Sequence, residues 1–466
     1  MTSFRRGAPI RRLLGMTLRV AIVGGGPAGI YAADQLIKSE AAVSLDLIER
    51  LPAPFGLVRY GVAPDHPRIK EIIKALQRVI AHPDVRFLGN VDFGVDVKLE
   101  ELREFYDAVI VATGAMADRD LGIPGEDLDG SHGAADFVSW YDAHPDVPRT
   151  WPLQATSVAV LGVGNVALDV ARVLAKTGEE MLSTDIPAHV YEGLRDKTIT
   201  DVHVFARRGP AYAKFSPLEL RELAHSPNVD VIVHPEGFEV DDHSMQHIQR
   251  NKQSKMVLDT LANWVGREPE GKPHRIHLHF LEQPVEIVED PARPGTVGAL
   301  RTERTRLTGD GGVIGTGEVT TWDVQSVYRA VGYRSTPLPG IPFDHAAAVV
   351  PNDGGRVLDL AGEPIPGLFV TGWIKRGPVG LIGHTKSDAA ETVAHLLAAT
   401  SAVAPSRRPE DVDAHLAHRG VAVATHESWE LLDRHEIALG EAEGRLRIKV
   451  GDRGEMLRIG GVAGAE

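Results

Sequence analysis

The chain has 466 residues, enough for two or three domains, and 43% of them are apolar, an ordinary share for a globular protein. Its formal net charge of −14 argues against general nucleic-acid binding, which needs a basic face, and no apolar run reaches the length of a bilayer span. It has no cysteine, which excludes disulfides, thiolate metal sites, iron–sulfur clusters held by this chain and any redox dithiol.

Residues 1–17 carry Arg5, Arg6, Arg11 and Arg12 and no acid, the composition of a transit peptide. Gly7 and Pro9 spoil an amphipathic helix there, so a disordered leader, or a true start at Met16, is the preferred reading. The location expected is cytoplasmic, or the mitochondrial matrix if the leader is a transit peptide.

From Leu18 the pattern is strand, glycine turn, helix, strand. The strand Leu18–Val23 runs into Gly24-Gly25-Gly26-Pro27-Ala28-Gly29. Gly24 permits a tight bend, Gly26 lets a pyrophosphate approach the backbone, and Gly29 lets helix and strand pack closely. A helix from about Ala28 to Ser39 keeps Ile30, Ala33, Leu36 and Ile37 on one face. The next strand, Val43–Ile48, ends at the acid Glu49. A plain tight turn is the alternative, but strand, helix and acid agree with a dinucleotide cradle.

Residues 52–67 form a loop rich in proline and glycine, in which His66 is held between Pro64 and Pro67. A histidine so confined can be positioned for chemistry, although the chain has 20 histidines and most must be incidental. A helix is expected over Arg68–Ile80. Asp107–Gly114 reads as a parallel strand buried on both faces, and its glycine end, Thr113-Gly114, suits backbone lying beside a nucleotide.

A second such unit spans Ser157–Arg208. The strand Val158–Leu161 leads into Gly162-Val163-Gly164-Asn165-Val166-Ala167, with alanine in the third glycine place. An insertion over Met181–Lys197 lengthens the usual interval of about 20 residues before the strand-end residue. That residue is here a pair, Arg207 and Arg208, after the strand Val202–Ala206. The pair is either an ordinary solvated one or a seat for a 2′-phosphate. Arg119 either reaches the same nucleotide or is a surface arginine. Glu219 and Glu222 share one face of a helix over Pro217–Leu223, where solvated glutamates are the default.

Residues 240–280 are charged and rich in histidine, and β-like runs continue to about Val331. The strand Gly367–Trp373 precedes a helix expected over Lys386–Leu397, whose positive end would suit a reduced flavin. A helical stretch surrounds Trp429–Ile437. An acid after the first turn suits a free ribose hydroxyl, and paired guanidiniums after the second suit a phosphorylated ribose. The chain therefore reads as a holder of two dinucleotides, one a flavin and one NADP, and two such cofactors imply hydride transfer. The glycine-ended strand far downstream implies that the first domain is completed by C-terminal residues. Its expected parts are 18–115 and 333–466, with 116–332 inserted.

Gly56 to Pro67, Gly164 to Arg172, Arg207-Arg208-Gly209-Pro210 and Gly372 to Pro378 closely resemble the adrenodoxin-reductase-type ferredoxin–NADP⁺ reductases, in the family's order and over nearly the whole chain from Leu18. The resemblance implies an α/β fold of two Rossmann-like dinucleotide-binding domains, the FAD domain discontinuous around the NADP domain. It implies FAD contacts at Ala28, Glu49, Leu57 and Trp373 and at the backbone of Phe93, Gly380, Leu381 and Ile382. It places NADP against Arg119, Asn165, Val166, Arg207 and Arg208, with Glu219 nearby, and puts His66 and Glu222 near the nicotinamide. Two residues depart from common members: Phe93 is larger than usual, and His384 replaces a small polar residue. Trp373 stands where many two-dinucleotide flavoproteins carry aspartate, which separates the chain from disulfide reductases.

The activity implied is hydride transfer from NADPH to FAD, followed by single-electron transfer to a small acidic ferredoxin-type iron–sulfur protein. An acidic reductase needs a local basic patch for such a partner. Arg250, Lys252 and Lys255 are the candidates, with Arg301 and Arg304 as additions, against the alternative of an ordinary solvated face. Other readings are a flavin oxygenase or oxidase passing electrons to O₂, and a non-catalytic redox sensor binding both nucleotides.

Overall fold

The strand Leu18–Val23 is apolar at nearly every position because both of its faces are covered. Val20 and Ile22 point to one side, where they pack with Ile30, Ala33 and Leu36 of the helix Pro27–Ile37 and with Ala389, Val393 and Leu396 of the helix Ile382–Thr400. Ala21 and Val23 point to the other side and join Leu99, Leu102, Phe105 and Leu416. Each fully buried valine or isoleucine contributes about 1.5–3 kcal/mol relative to exposure, so a charge at Ile22 would break both the packing and the turn that follows.

The computed structural model describes residues 17–380, 382–400 and 412–462, which leaves the Arg-rich leader and Met16 outside the described residues. The chain divides into two compact units, one made of the residues through Val62, His66–Ala117 and Tyr333 onward, the other of Ala63–Asp65 and Asp118–Gly332.

In the first unit a seven-stranded sheet has the spatial order Asn352–Asp353, Arg356–Leu358, Pro364–Val370, Ala108–Val111, Leu18–Val23, Val43–Glu49, Val85–Gly89. The last five run parallel, and the first two are antiparallel additions at the edge. The expected helix over Arg68–Ile80 is two pieces, Pro67–Lys70 and Ile73–Ile80. The helix expected from Lys386 starts earlier, at Ile382.

In the second unit six parallel strands have the order Ser131–Gly133, Ser326–Arg329, Ser157–Leu161, Asp201–Ala206, His274–Phe280, Val229–Val233. An antiparallel sheet of Glu282–Glu289, Val297–Leu307 and Val313–Asp323 is attached. The polar stretch from 240 holds two helices, Asp242–Arg250 and Lys252–Trp264. Their starts are set by local caps: Asp241 accepts from the Ser244 N–H at 2.8 Å, and Asn251 from Gln253 and Ser254 at 3.1 and 3.2 Å. The insertion after Met181 carries the helix Ala188–Arg195. Lys197 closes it by donating to the carbonyls of Leu174 and Lys176 at the end of the helix Asn165–Ala175, and burial lowers its ammonium pKa to about 7.

Candidate functional site

The first glycine turn sits at the carboxyl ends of parallel strands, where open α/β sheets bind ligands. Gly24 has φ of 116°, and a Cβ there would lie 2.5 Å from the Ala112 carbonyl oxygen, so only glycine fits. A Cβ on Gly29 would lie 2.1 Å from the Gly24 oxygen, which explains the close crossing of helix and strand. At Gly26 the space is open, with Gly56 Cα, 3.8 Å away, the one heavy atom near a Cβ. Gly26 caps the helix Pro27–Ile37 with no side-chain bond and no acid in the first turn. Its leading N–H groups are thus aimed at an anion.

Glu49 is fixed against this turn. Its carboxylate accepts from the Gly25 N–H at 2.8 Å and the Leu51 N–H at 3.0 Å, while burial pushes its pKa up. The Phe55 N–H donates to the Gly25 oxygen at 2.8 Å, which lays the Gly56-Leu57 segment across the turn. Behind that segment the Arg59 guanidinium, 2% exposed, meets the Glu436 carboxylate, 0% exposed, at 2.5 and 2.9 Å. Glu436 also accepts from the Val450 N–H at 2.9 Å, and Lys449 donates to the Arg59 carbonyl at 2.6 Å.

A third wall comes from the strand Pro364–Val370. The Gly372 N–H donates to Asp388 at 2.5 Å, Thr371 donates to the same oxygen at 3.1 Å, and Lys375 pairs with Asp388 at 2.9 Å. A Cβ on Gly372 would lie 2.6 Å from that of Ala28, so this segment abuts the start of the first helix. Trp373 is half-buried, its ring 6.4 Å from that of Tyr333. No heavy atom lies within 4 Å of a Cβ on Gly114, and Gly380 is exposed. The Phe93 side chain is packed in the core, which leaves only its backbone for a ligand. Leu381 and the side chains of Ile382 and His384 lie outside the described residues. Open glycines, uncapped N–H groups and a fixed carboxylate together fit a dinucleotide with its pyrophosphate at the helix start.

The second unit repeats this arrangement. Gly162 has φ of 136°, with a Cβ position 2.2 Å from the Ala330 oxygen, and nothing lies within 4 Å of a Cβ on Gly164. The helix Asn165–Ala175 starts at Gly164 with no acid in its first turn. Ala167, in the third glycine place, is fully buried, and Val166 packs at the edge of the same core. A segment again crosses the turn: the Lys214 N–H donates to the Val163 oxygen and the Ser216 N–H to Asn165 Oδ1, each at 2.8 Å.

The residue at the strand end differs in charge from that of the first unit. Arg207 is exposed, Arg208 lies 5.0 Å over the Tyr212 ring, and neither pairs with an acid among the described residues. Two guanidiniums not committed to carboxylates fit a phosphate. Arg119 is exposed, its N–H bonded to the Gly332 carbonyl at 3.0 Å.

Asp65 belongs to this unit. It is held by Arg172 at 2.7 and 2.9 Å and by Lys176 at 2.8 Å, which keep its carboxyl far below the usual range. Arg172 also faces Asp169 at 2.8 Å and Glu219 at 3.6 Å. Glu219, 4% exposed, is not a solvated glutamate, whereas Glu222 on the same helix is half-buried. His66 belongs to the first unit, is 5% exposed and heads the helix Pro67–Lys70.

A family model described as pyridine nucleotide-disulphide oxidoreductase matches residues 18–283. NADPH-ferredoxin reductase FprA of Mycobacterium tuberculosis (strain ATCC 25618 / H37Rv) is 41% identical over 460 residues, covering 95% of this chain and 98% of that protein. The mitochondrial NADPH:adrenodoxin oxidoreductase of Arabidopsis thaliana is 42% identical over 390 residues, 81% of each chain. The solved structure "Mycobacterium tuberculosis FprA in complex with NADPH" superposes with a TM-score of 0.88 at 40% identity, covering 96% of this chain and 100% of that one.

The chain belongs to the adrenodoxin-reductase-type ferredoxin–NADP⁺ reductases. It is an oxidoreductase of the α/β class with two Rossmann-like sheets. The broader family is described by disulphide chemistry, which this member has no cysteine to perform.

Sequence reasoning missed four supports of the site in this reductase: Asp388 under Gly372, Glu436 under Arg59, Asp65 on Arg172, and the Lys214 segment on the second turn. Only Asp65 had a signal, its place in the stiff loop beside His66. Of the basic residues considered for docking, Arg250 and Lys252 are exposed and Lys255 pairs with Asp259 at 2.8 Å in solvent. Arg301 and Arg304 are taken by Glu286 at 2.6 Å and by Glu239 at 3.2 Å. No helix among the described residues is long and apolar enough to cross a membrane.

Proposed function

We propose that this chain is an NADPH–ferredoxin oxidoreductase whose first unit holds FAD and whose second holds NADP(H). One contrast carries the reading: two matching glycine cradles end in opposite charge, a fixed carboxylate at Glu49 and a guanidinium pair, Arg207 and Arg208, with no acid partner among the described residues. Bound FAD supplies hydride acceptance and the release of electrons one at a time.

The protein's part is to bind and orient. The N–H groups of Gly26 and Ala28, on either side of Pro27, which has none, and those of Gly164–Val166 hold the two pyrophosphates. Glu49 accepts from a ribose hydroxyl. Asp388 keeps the Gly372 N–H and Trp373 in place, and Glu436 does the same for Leu57 through Arg59. Arg207 and Arg208 read the 2′-phosphate, with Arg119 beside the nucleotide and Asn165 turned by the Ser216 N–H. We assign His66 and Glu222 to the nicotinamide end, with Glu219 held by Arg172 behind Glu222. A small acidic iron–sulfur protein is the partner, docking near Arg250, Lys252 and Lys255, and a cytoplasmic location goes with this reading.

The test is anaerobic stopped-flow reduction. NADPH should bleach the flavin, and mixing with ferredoxin should restore its colour. Replacing both Arg207 and Arg208 by alanine removes charge-assisted bonds worth about 1.5–3 kcal/mol each, so the preference for NADPH over NADH should fall at least about 100-fold. An unchanged preference would defeat the assignment. The same trace, slowed in His66→Gln at saturating NADPH, tests the nicotinamide assignment.

A further inference from the structure

The charged, histidine-rich stretch after residue 240 acquires a use in the second unit. The helix Asp242–Arg250 carries His243 and His247 one turn apart, and so on one face. Both meet Tyr212. His243 Nδ1 lies 2.7 Å from the Tyr212 hydroxyl oxygen, with the rings 6.3 Å apart at 20°. The His247 ring lies 5.2 Å from that of Tyr212 at 30°, and its Nε2 is 3.3 Å from Ser254 Oγ on the next helix. Tyr212 is 8% exposed and packs with Ala211, Ile248 and Leu307.

A short, stiff connection joins this tyrosine to the arginine pair. Pro210 opens a single 3₁₀ turn, Pro210–Tyr212, and the Tyr212 N–H donates to the Gly209 carbonyl at 3.1 Å. The turn brings the ring back beneath Arg208, whose guanidinium lies 5.0 Å from the ring centre. The backbone of the pair is fixed separately: the buried Thr305 hydroxyl donates to the Arg207 carbonyl at 2.8 Å. What remains to be placed is the two side chains. Arg207 is exposed, while Arg208 is half-buried over the ring.

An acid could hold Arg208 as firmly, but it would compete with an incoming phosphate for the same N–H groups. An aromatic face attracts the cation through its quadrupole and leaves the charge unneutralised. The acids of the following loop are committed elsewhere, Glu239 to Arg304 at 3.2 Å and Asp241 to the Ser244 N–H at 2.8 Å. A guanidinium held before binding also loses less side-chain freedom when a phosphate arrives.

We propose that Tyr212 is a specificity-determining positioning residue for the 2′-phosphate, its ring bracing Arg208 for the anion. His243 anchors the phenol end of that ring, and His247 packs beside it. The inference rests on the reading of Arg207 and Arg208 as the seat of the 2′-phosphate.

The test uses the FAD-loaded full chain with ferricyanide as acceptor. It reads kcat/KM for NADPH over NADH, and the inhibition constant of 2′,5′-ADP, which carries the 2′-phosphate and no nicotinamide. Tyr212→Leu should lower the NADPH preference and weaken 2′,5′-ADP by about five- to tenfold each. The loss should lie in the KM for NADPH, while the KM for NADH moves by less than about twofold. Tyr212→Phe keeps the ring and should hold the preference within about twofold of the parent. With Arg208→Ala already present, Tyr212→Leu should have no further effect on the preference. Tyr212→Met is a second variant without the ring, and flavin absorbance and melting temperature show which variants are folded. A parental preference in both ring-less variants, an equal loss with NADPH and NADH, the same loss in Tyr212→Phe, or a full further loss in the Arg208→Ala background overturns the inference. Arg208→Ala alone separates it from the reading beneath it. A fall in preference there, with none in the ring-less variants, removes Tyr212 only, whereas no fall in Arg208→Ala removes Arg208 from the phosphate seat and Tyr212 with it.

Discussion

The buried pair between Arg59 and Glu436 is the support on which the first cradle can be tested most sharply. Both side chains are almost wholly removed from water, and the guanidinium lies 5.3 Å over the Trp429 ring. Glu436→Gln keeps the volume and removes the charge. An uncompensated buried charge costs about 3–5 kcal/mol. For a unit of this size that corresponds to a fall in melting temperature of roughly 6–20 °C. The effect should reach the cofactor. Phe55, with φ of 83°, is a non-glycine residue in a left-handed conformation that costs about 1–3 kcal/mol and is held only by its surroundings. Loosening Arg59 frees that bend and the Phe55–Gly25 hydrogen bond, so FAD should leave faster. Urea unfolding followed by circular dichroism gives the stability, and flavin fluorescence after gel filtration gives the retention. Arg59→Met in the Glu436→Gln background removes the stranded charge and should restore at least half of the loss. A stability change below about 1 kcal/mol in Glu436→Gln, or no recovery in the double variant, would refute the reasoning.

Gly164→Ala should leave the melting temperature unchanged, because a Cβ there meets no protein atom within 4 Å. It should raise the dissociation constant for NADPH about 10- to 100-fold by blocking close approach of the pyrophosphate, and parental binding would remove the second cradle from the reading. His132, packed against Trp151 and Tyr328, is held down to about 4 by burial. Its unfolded pKa is about 6.5, so the unfolded chain takes up the proton first as pH falls and stability is lost between about pH 6.5 and 4. Asp118, pushed up to about 6 by burial, acts in the opposite sense, so the check is the difference in pH slope between parent and His132→Gln. The slope should flatten in the variant, and an identical slope would remove His132 as the cause. Reversing Arg250, Lys252 and Lys255 to glutamate should raise the KM for ferredoxin severalfold at low salt and leave ferricyanide unaffected, with Arg250 and Lys252 dominant because Lys255 already faces Asp259. Equal effects on both acceptors would reject the patch.

Both glycine turns, their flanking strands and the contrast between Glu49 and the Arg207–Arg208 pair were legible in the sequence. A turn that must take positive φ and a helix that must start without an acid are written over a few consecutive residues. The apolar runs Leu18–Val23 and Ala108–Val111 likewise announced strands covered on both faces. Glu219 read as a solvated glutamate, because nothing in its own helix reveals that Arg172 lies beside it. Helix limits moved where local pattern was weak, as at Ile382, before which the sequence offers glycine and leucine rather than a polar capping residue.

Local conformation follows from neighbours along the chain, and so the amino-acid order alone determined the two cradles, the charge at the end of each and the absence of thiol chemistry. Partners on different elements, whether 16 residues apart like Gly372 and Asp388 or 377 like Arg59 and Glu436, leave no periodic trace, and only the folded chain decided them. Glu436 under Arg59 and Asp388 under Gly372 come from helices laid against the first unit's sheet, Lys214 across Val163 from a loop, and His277 beside His203 from parallel strands in register, and burial then makes each polar group find a partner.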